Sequence, residues 1–496
     1  MRLTPARSLV LMMVLSLALR FFLIFQDIGG LLRSLLVDDA YYYYVVVQNI
    51  LQGHGVVFNV GIVTNGFHPL YALLLLPLFS FFFSYGVNVP IYASLVLLSL
   101  FHVGTALFIY LIGKRLSSEG PGLLGAFMWL FSPYVLFVSL MGVEAALQIF
   151  FISALVYMMV SRRGLGRIDS VLIGLLLALS FLSRVDSAFL VLGTFLVLFW
   201  RYQKQKTVTL ENIGIVALVS GLIVLPWLAW SFLQFGSIMP MSGVAFRHLR
   251  LISPEPYLLK SLFTVYTSLS FVSQFFVFSF SRIQEVVVSI FVLGFCSAFL
   301  FLHERGRFIL KKLNFLFIGS VFYYLSYWFY QIGMRDWYSL YTCFLVALIF
   351  PPALFHFLRK KPRRIVIIGL AILFLMGGVL MYQHGNAPQE KTKWAAAQYI
   401  DEHLPEDVVI GSFNTGVYQY YARQEIINLD GVVNPEAYYA LRDHRIEEYI
   451  LEKGISYLID EDSAVRGLNS SLLRVTLIST FDEGGAVSGL YEVQKV

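Results

Sequence analysis

Charge is what this sequence lacks most. Asp, Glu, Lys and Arg make up 13% of its 496 residues, while 58% are hydrophobic; an average soluble chain carries roughly 25% charged residues. That imbalance excludes an ordinary water-soluble globule. A formal net charge of +6 would suit a nucleic-acid binder only if the cations gathered in one patch. Here they punctuate apolar runs, so no nucleic-acid partner is expected. Cysteine is scarce too: Cys296 and Cys343 both fall inside apolar runs, with neither metal-ligand spacing nor a disulfide framework, and are read as packing residues. Neither an internal repeat nor a long low-complexity linker is visible, which excludes a solenoid.

What is abundant is hydrocarbon, in runs of roughly 18–22 residues, the length that crosses a ~30 Å apolar core. The first, Ser8–Phe25, follows Arg2 and Arg7. It is too long for a signal-peptide core and has no small-residue cleavage site, so it is expected to remain as a span. Further spans are expected at Val89–Ile112, Gly122–Val138, Ala145–Val160, Ser170–Leu182, Ala188–Trp200 and Gly214–Phe235. Val286–Leu302, Phe315–Tyr330, Ser339–Phe357 and Val366–Tyr382 complete the set. Tyrosines near the ends of these runs are read as interfacial aromatics.

Cations set the orientation. Lys114 and Arg115; Arg162, Arg163 and Arg167; Arg201, Lys204 and Lys206; Arg305, Arg307, Lys311 and Lys312; and Arg359, Lys360, Lys361, Arg363 and Arg364 lie on alternate connections. The positive-inside rule assigns those, with the N-terminus, to the cytoplasm. The intervening connections hold Asp38, Asp39, Glu144, Asp186 and Asp336. The alternation holds only if the short apolar segment Leu70–Phe83, interrupted by Pro77, lies along the membrane or re-enters it. The fold expected is thus an α-helical polytopic membrane protein of about 11 transmembrane helices, residues 1–385, in a cell (plasma or inner) membrane. Residues 386–496 read as a small extracytoplasmic α/β domain. Within it Trp394–His403 and Arg445–Lys453 are expected as helices, and Val408–Gly411, Glu425–Asn428, Ile455–Asp460, Leu473–Phe481 and Leu490–Val493 as strands.

The first outer loop, residues 26–69, is the most informative stretch. Asp38 and Asp39 precede Tyr41–Tyr44 and an apolar segment that reads as an amphipathic helix lying at the interface. One aspartate there is explained by an N-cap; two adjacent ones ask for a further role. Arg20, within the first run, either snorkels outward or faces the bundle interior.

Asp38-Asp39-Ala40 with its tyrosines, Asn49–Gly55 and Thr64-Asn65-Gly66-Phe67-His68-Pro69-Leu70 together resemble the first periplasmic loop of bacterial C-type glycosyltransferases. These are relatives of protein O-mannosyltransferases and lipid A aminoarabinose transferases. The resemblance continues through Gly142-Val143-Glu144-Ala145-Ala146-Leu147, Ser183-Arg184-Val185-Asp186, Arg335-Asp336-Trp337-Tyr338 and Asn428-Leu429-Asp430-Gly431-Val432-Val433-Asn434. The order of these motifs, more than any one of them, carries it. It implies an inverting transfer of a sugar from a polyprenyl-phosphate carrier to a glycan, lipid or protein acceptor on the outer membrane face. It also implies that a first-loop carboxylate, Asp38 or Asp39, acts as base. The family's Asp-Glu is Asp-Asp here, so both stay open. No metal and no cofactor beyond the lipid-linked donor is expected.

The residues suit such chemistry. A base must take the acceptor's proton, and cations must stabilise the departing lipid phosphate. The candidates facing outward are Arg184, Arg247, Arg250 and Arg335, with His68 as a donor. Glu144 is either a helix-end charge or a second carboxylate of the site, and Asp186 either pairs with Arg184 or serves the site. Gly236–Gly243 is a candidate phosphate-binding lid. Asp430 and Asn434 offer polar contacts, although an Asp-Gly turn explains Asp430 equally. The alternative reading is a secondary transporter of a small solute or lipid-linked sugar. Repeats and midplane charges would mark one; neither is seen. A third, an outer recognition domain on a membrane anchor, requires far fewer spans.

Overall fold

The computed structural model describes residues 4–252, 256–276, 282–330, 334–358, 360–384, 388–465, 468, 471–483 and 486–496, with backbone alone for 249–252, 360, 381–384 and 388. The chain is a multi-pass membrane protein. Helices Pro5–Ile24, Val89–Leu116, Val185–Gln205, Leu210–Phe235, Arg282–Leu302, Asp336–Phe357 and Lys361–Leu380 are long and apolar enough to cross a bilayer. Glu304–Lys312 and Asn314–Tyr330 would make an eighth if the pair, bent by 70°, is one span. The remaining expected spans coincide with shorter helices: Glu119–Phe131 continued after Ser132 by Pro133–Val138, Ala145–Ser161, and Arg167–Ser183. Seventeen residues of helix reach only ~25 Å, near the lower limit for spanning.

Termini follow local chemistry. Thr4 caps the first helix by accepting from the Arg7 amide, with Pro5 in its first turn. Arg20 faces the bundle interior: it is fully buried and donates to Ser16 and Ser139. Cys296 and Cys343 are free and buried, as packing residues are. The segment after His68 is the helix Pro69–Phe82, whose Tyr71, Leu75 and Phe79 form one buried face while Leu73 and Phe81 lie exposed. Among the described residues the connection after Phe235 holds two helices the sequence did not announce, Met241–Ile252 and Tyr257–Gln274.

The C-terminal part is an α/β unit on a five-stranded mixed sheet. Its strands are β1 (Val409–Ser412), β2 (Glu425–Asn428), β3 (Ile455–Asp460), β4 (Leu473–Asp482) and β5 (Val487–Lys495). Their order is β2-β1-β3-β5-β4, with β1 parallel to both neighbours and β5 antiparallel to both of its own. Helices Pro388–His403 and Ile446–Glu452 stand where helices were expected.

Two expectations about the first loop need correction. The helix Asp38–Leu51 does not lie with one face on lipid: Asp38, Ala40–Val47 and Asn49 are all buried. Nor are Tyr41–Tyr44 interfacial aromatics, being 0–6% exposed. The reason is tertiary. The C-terminal unit sits on this helix, with Tyr41 packed edge-on against Tyr420 and tilted against Tyr421, while Tyr44 packs on Phe79 from below.

Candidate active site

The site is built where the first loop, the Gly142–Glu144 turn, the Arg184–Asp186 turn and the C-terminal unit converge. Gly142 has φ +83°, and a Cβ there would lie 2.8 Å from that of Ala40. Glycine lets this turn close onto the Asp38–Leu51 helix. Gly66 does the same opposite, because a Cβ on it would overlap the Val432 carbonyl oxygen and lie 3.1 Å from Val433 Cα. The second loop motif is held from two sides. The Gly66 amide donates to Thr64 Oγ1 (3.1 Å), and the Met241 amide donates to Asn65 Oδ1 (2.9 Å).

Asp38 and Asp39 open their helix, where carboxylates are favoured by the helix dipole. Val37 is the N-cap and no side chain caps the helix, so neither aspartate fills the capping role. Their surroundings differ sharply. Asp38 is 5% exposed and saturated by the C-terminal unit. It accepts from the amides of Gly416 (3.1 Å) and Val417 (2.9 Å) and pairs with Lys393 Nζ at 3.2 Å. Asp39 instead lines a cavity of about 310 Å³. Burial pushes its carboxyl up to about 6; Arg335 opposes the rise, Asp38 and Glu144 add to it, and Lys393 opposes it.

The same cavity wall carries His68, Glu144, Arg184 and Asp186. Glu144 starts the Ala145–Ser161 helix without capping it. Its carboxylate instead accepts from Arg184 Nη1 (2.6 Å) and from the Tyr43 hydroxyl (2.8 Å). Arg184 turns its other edge to Asp186 (2.8 Å) and lies over the Tyr338 ring at 4.3 Å. Gln148 and Tyr327 complete the Asp186 shell. Arg184 is thus committed to two carboxylates rather than held free for a phosphate. His68 Nε2 stands 3.7 Å from Glu144 Oε1, while its buried Nδ1 has no hydrogen-bond partner. Burial holds the imidazole below its usual range, against the pull of Glu144; it is neutral at pH 7.

Arg247 and Arg335 lie outside the lining, both exposed. Arg247 stacks on Tyr330 at 4.5 Å and Arg335 on Phe246 at 5.0 Å, and both rings belong to the cavity wall. They form a cationic rim. The side chain of Arg250 lies outside the described residues. Met239, Pro240, Ser242 and Gly243, from the loop read as a lid and the start of the next helix, line the cavity. Asp430 does form a turn, accepting the Val432 amide at 2.8 Å. Burial pushes its carboxyl up to about 7, with Asp39 and Asp38 among the groups that add to the rise. Asn434 is structural: it caps Pro435–Arg442 and donates to the Asn428 carbonyl and the Tyr449 hydroxyl.

Sequence reasoning missed Tyr43, Lys393, Glu390 and Val432. Tyr43 sits in a run explained by the interface, and Lys393 in a helix whose charges read as solvated. Among the described residues no three His, Cys, Asp or Glu side chains converge to hold a metal ion. Asp38 and Glu144 are taken up by Lys393 and Arg184, so this acid set does not fit one.

Residues 67–230 match the family model for dolichyl-phosphate-mannose-protein mannosyltransferase, and residues 382–494 match a domain of unknown function (DUF8728). No curated protein sequence matches the chain. Among solved structures, ArnT from Cupriavidus metallidurans bound to undecaprenyl phosphate is similar at 10% identity and a TM-score of 0.62, over 96% of this chain and 97% of that one. The apo oligosaccharyltransferase of Archaeoglobus fulgidus is similar at 14% identity and 0.58, over 97% and 74%. The AglB complex from the same organism, with an inhibitory peptide and a dolichol-phosphate, gives 13% and 0.54 over 90% and 69%. The fold is that of the C-type glycosyltransferases, and the resemblance read from the sequence stands.

Proposed function

From a C-type glycosyltransferase fold, we propose that this chain moves a sugar from a polyprenyl-phosphate carrier to a hydroxyl of a glycan, lipid or protein acceptor, with Asp39 as general base. The observation that carries this reading is the division of labour between two adjacent acids. Asp38 has its lone pairs filled by two amides and a lysine. Asp39 faces the cavity with a carboxyl pushed up to about 6. A base poised near the working pH is the efficient one.

The step is a single displacement with inversion at the anomeric carbon. The acceptor oxygen bonds to that carbon as the bond to the phosphate oxygen breaks. Its proton passes to Asp39, and the lipid phosphate leaves as an anion. That anion needs no protein acid, only positive charge, which Arg247 and Arg335 supply at the rim. Neutral His68, a residue of the cavity wall, offers its imidazole to a sugar hydroxyl. Glu144, Arg184 and Asp186 hold the wall rigid beneath it. Mannose, aminoarabinose or a longer glycan would all enter such a cavity as a polyhydroxylated ring. Cation-rich loops on one side and acids on the other support a cytoplasmic N-terminus and an extracytoplasmic site.

Glycolipid and glycan profiling of a deletion strain tests the reading. Loss of one glycoconjugate with accumulation of a polyprenyl-linked sugar, reversed by the wild-type gene and not by Asp39→Asn, is expected. An unchanged profile, with solute uptake by proteoliposomes and no lipid-linked sugar consumed, would replace transfer with transport.

A further inference from the structure

The proposed reaction assigns no role to Lys393, a buried lysine on the outer domain's first helix. It lies 3.2 Å from Asp38 Oδ1 and 3.0 Å from Glu390 Oε2, and all three side chains are at most 9% exposed. A lone lysine shared by two buried carboxylates is expensive to assemble, since each ion loses its water. Packing alone does not require it, for the docking surface is already extensive. The Tyr420 hydroxyl donates to the Val87 carbonyl (2.6 Å) and that of Tyr421 to Asn88 (2.8 Å). Asn59 bonds both the amide of Asn428 and the carbonyl of Ile426.

The placement shows what the ions add. Asp38 precedes Asp39 directly, so whatever fixes Asp38 fixes the first turn that aims Asp39 into the cavity. The Gly416 amide of the short helix Gly416–Tyr421 holds Asp38 Oδ2, while the Val417 amide and Lys393 share Oδ1. A Cβ on Gly416 would overlap the Asp38 carbonyl oxygen, so the two backbones are in contact. The outer domain therefore holds the first turn of the acid-bearing helix by charge as well as by shape. We propose that Lys393, acting through Asp38, is a positioning residue that docks the outer domain and sets the charge environment of Asp39, making that domain a working part of the active site. The inference rests on the reading of Asp39 as the base for its consequence in catalysis, but not for its test.

The charged groups that act on Asp39 come from every element around it. Asp38 precedes it on its own helix, Glu144 comes from the facing turn, Arg335 from the rim, and Lys393 from the outer domain; Asp430 is coupled to it from the turn after β2. Removing Lys393 takes away one of two cations and unmasks Asp38. Both changes disfavour ionised Asp39, so its titration moves to higher pH.

The experiment uses the full-length chain in detergent, labelled with ¹³C-carboxyl aspartate. Asp39 is followed as the infrared carboxylate band lost in Asp39→Asn, so no donor or acceptor is needed. Lys393→Met is expected to move the midpoint up by about half to one pH unit, and to expose the first outer loop to proteolysis. Lys393→Arg restores the midpoint. The double variant Asp38→Asn/Lys393→Met, which removes both charges, returns it toward wild type. An unmoved midpoint in Lys393→Met with the domain still docked overturns the proposal. So does a double variant no closer to wild type than the single one. The expected titration series with no lost glycoconjugate in the deletion strain would instead refute the transferase reading and leave the positioning role of Lys393 standing.

Discussion

Replacing Gly66 with alanine is a one-methyl test of whether the C-terminal unit closes the site. The added Cβ would lie 3.0 Å from the Val432 carbonyl carbon and 3.1 Å from Val433 Cα, and still nearer the Val432 oxygen, whereas ordinary contact begins at 3.4 Å. All three obstacles are backbone, so no rotamer relieves them. Gly66 is itself held by its bond to Thr64, and its neighbour Asn65 by Met241. Relief has to come from moving the Val432 turn away by roughly 1 Å, a displacement that costs on the order of 10²-fold in rate when it misplaces a reacting group. Overpacking of this kind costs about 1–3 kcal/mol in stability, which a multi-pass body of this size survives. Transfer is to be measured in membranes of the deletion strain, alongside the melting temperature in detergent. Gly214→Ala is the control, since nothing lies within 4 Å of its Cβ. The expected result is a loss of one to two orders of magnitude in transfer for Gly66→Ala and none for Gly214→Ala. Full activity of Gly66→Ala would refute the idea that the C-terminal unit's turn forms a wall of the working cavity.

Three further outcomes follow from the same geometry. Asn59→Ala strips two buried backbone groups of their partner and is expected to cost about 1–3 kcal/mol, seen as faster hydrogen exchange at the Asn428 amide. Glu144→Gln leaves buried Arg184 with Asp186 as its one acidic partner among the described residues. Its melting temperature should fall below that of Tyr43→Phe, which gives up the hydroxyl's bonds to Glu144 and from the His68 amide, each worth about 1 kcal/mol. Arg335→Gln and Arg247→Gln should each weaken donor binding roughly tenfold. Only Arg335→Gln should also move the acid limb of the rate profile, and upward, because Arg335 is the cation that most opposes the rise at Asp39.

Much of the fold was legible because bilayer physics writes it in composition. Apolar runs marked the helices, and two strands, Glu425–Asn428 and Ile455–Asp460, begin and end where the sequence was read as extended. His68, Glu144, Arg184 and Asp39 meet on one cavity wall although up to 145 positions separate them, which motif order alone suggested. What stayed hidden depends on partners far along the chain. Whether Asp38 or Asp39 faces the cavity is decided by amides 378 and 379 residues away. Four tyrosines look interfacial until the C-terminal unit covers them. Lys393, in a helix with Glu390, Lys391 and Asp401, carries no local mark of burial. Arg184 looked like a phosphate ligand because its second carboxylate, Glu144, lies 40 residues earlier.

The most direct test of the account is the transfer rate of Asp39→Asn beside Asp38→Asn, measured from pH 5 to 8 in the same membranes. Ionisation is needed for the base, and its carboxyl sits at about 6, so wild-type transfer should rise with pH through that value and level off. Asp39→Asn should lose at least about 10²-fold at every pH while remaining folded and no less stable. Asp38→Asn should instead act through a loosened C-terminal unit, retaining part of its rate. Wild-type turnover in Asp39→Asn, with its acid limb intact, would contradict the account at its centre.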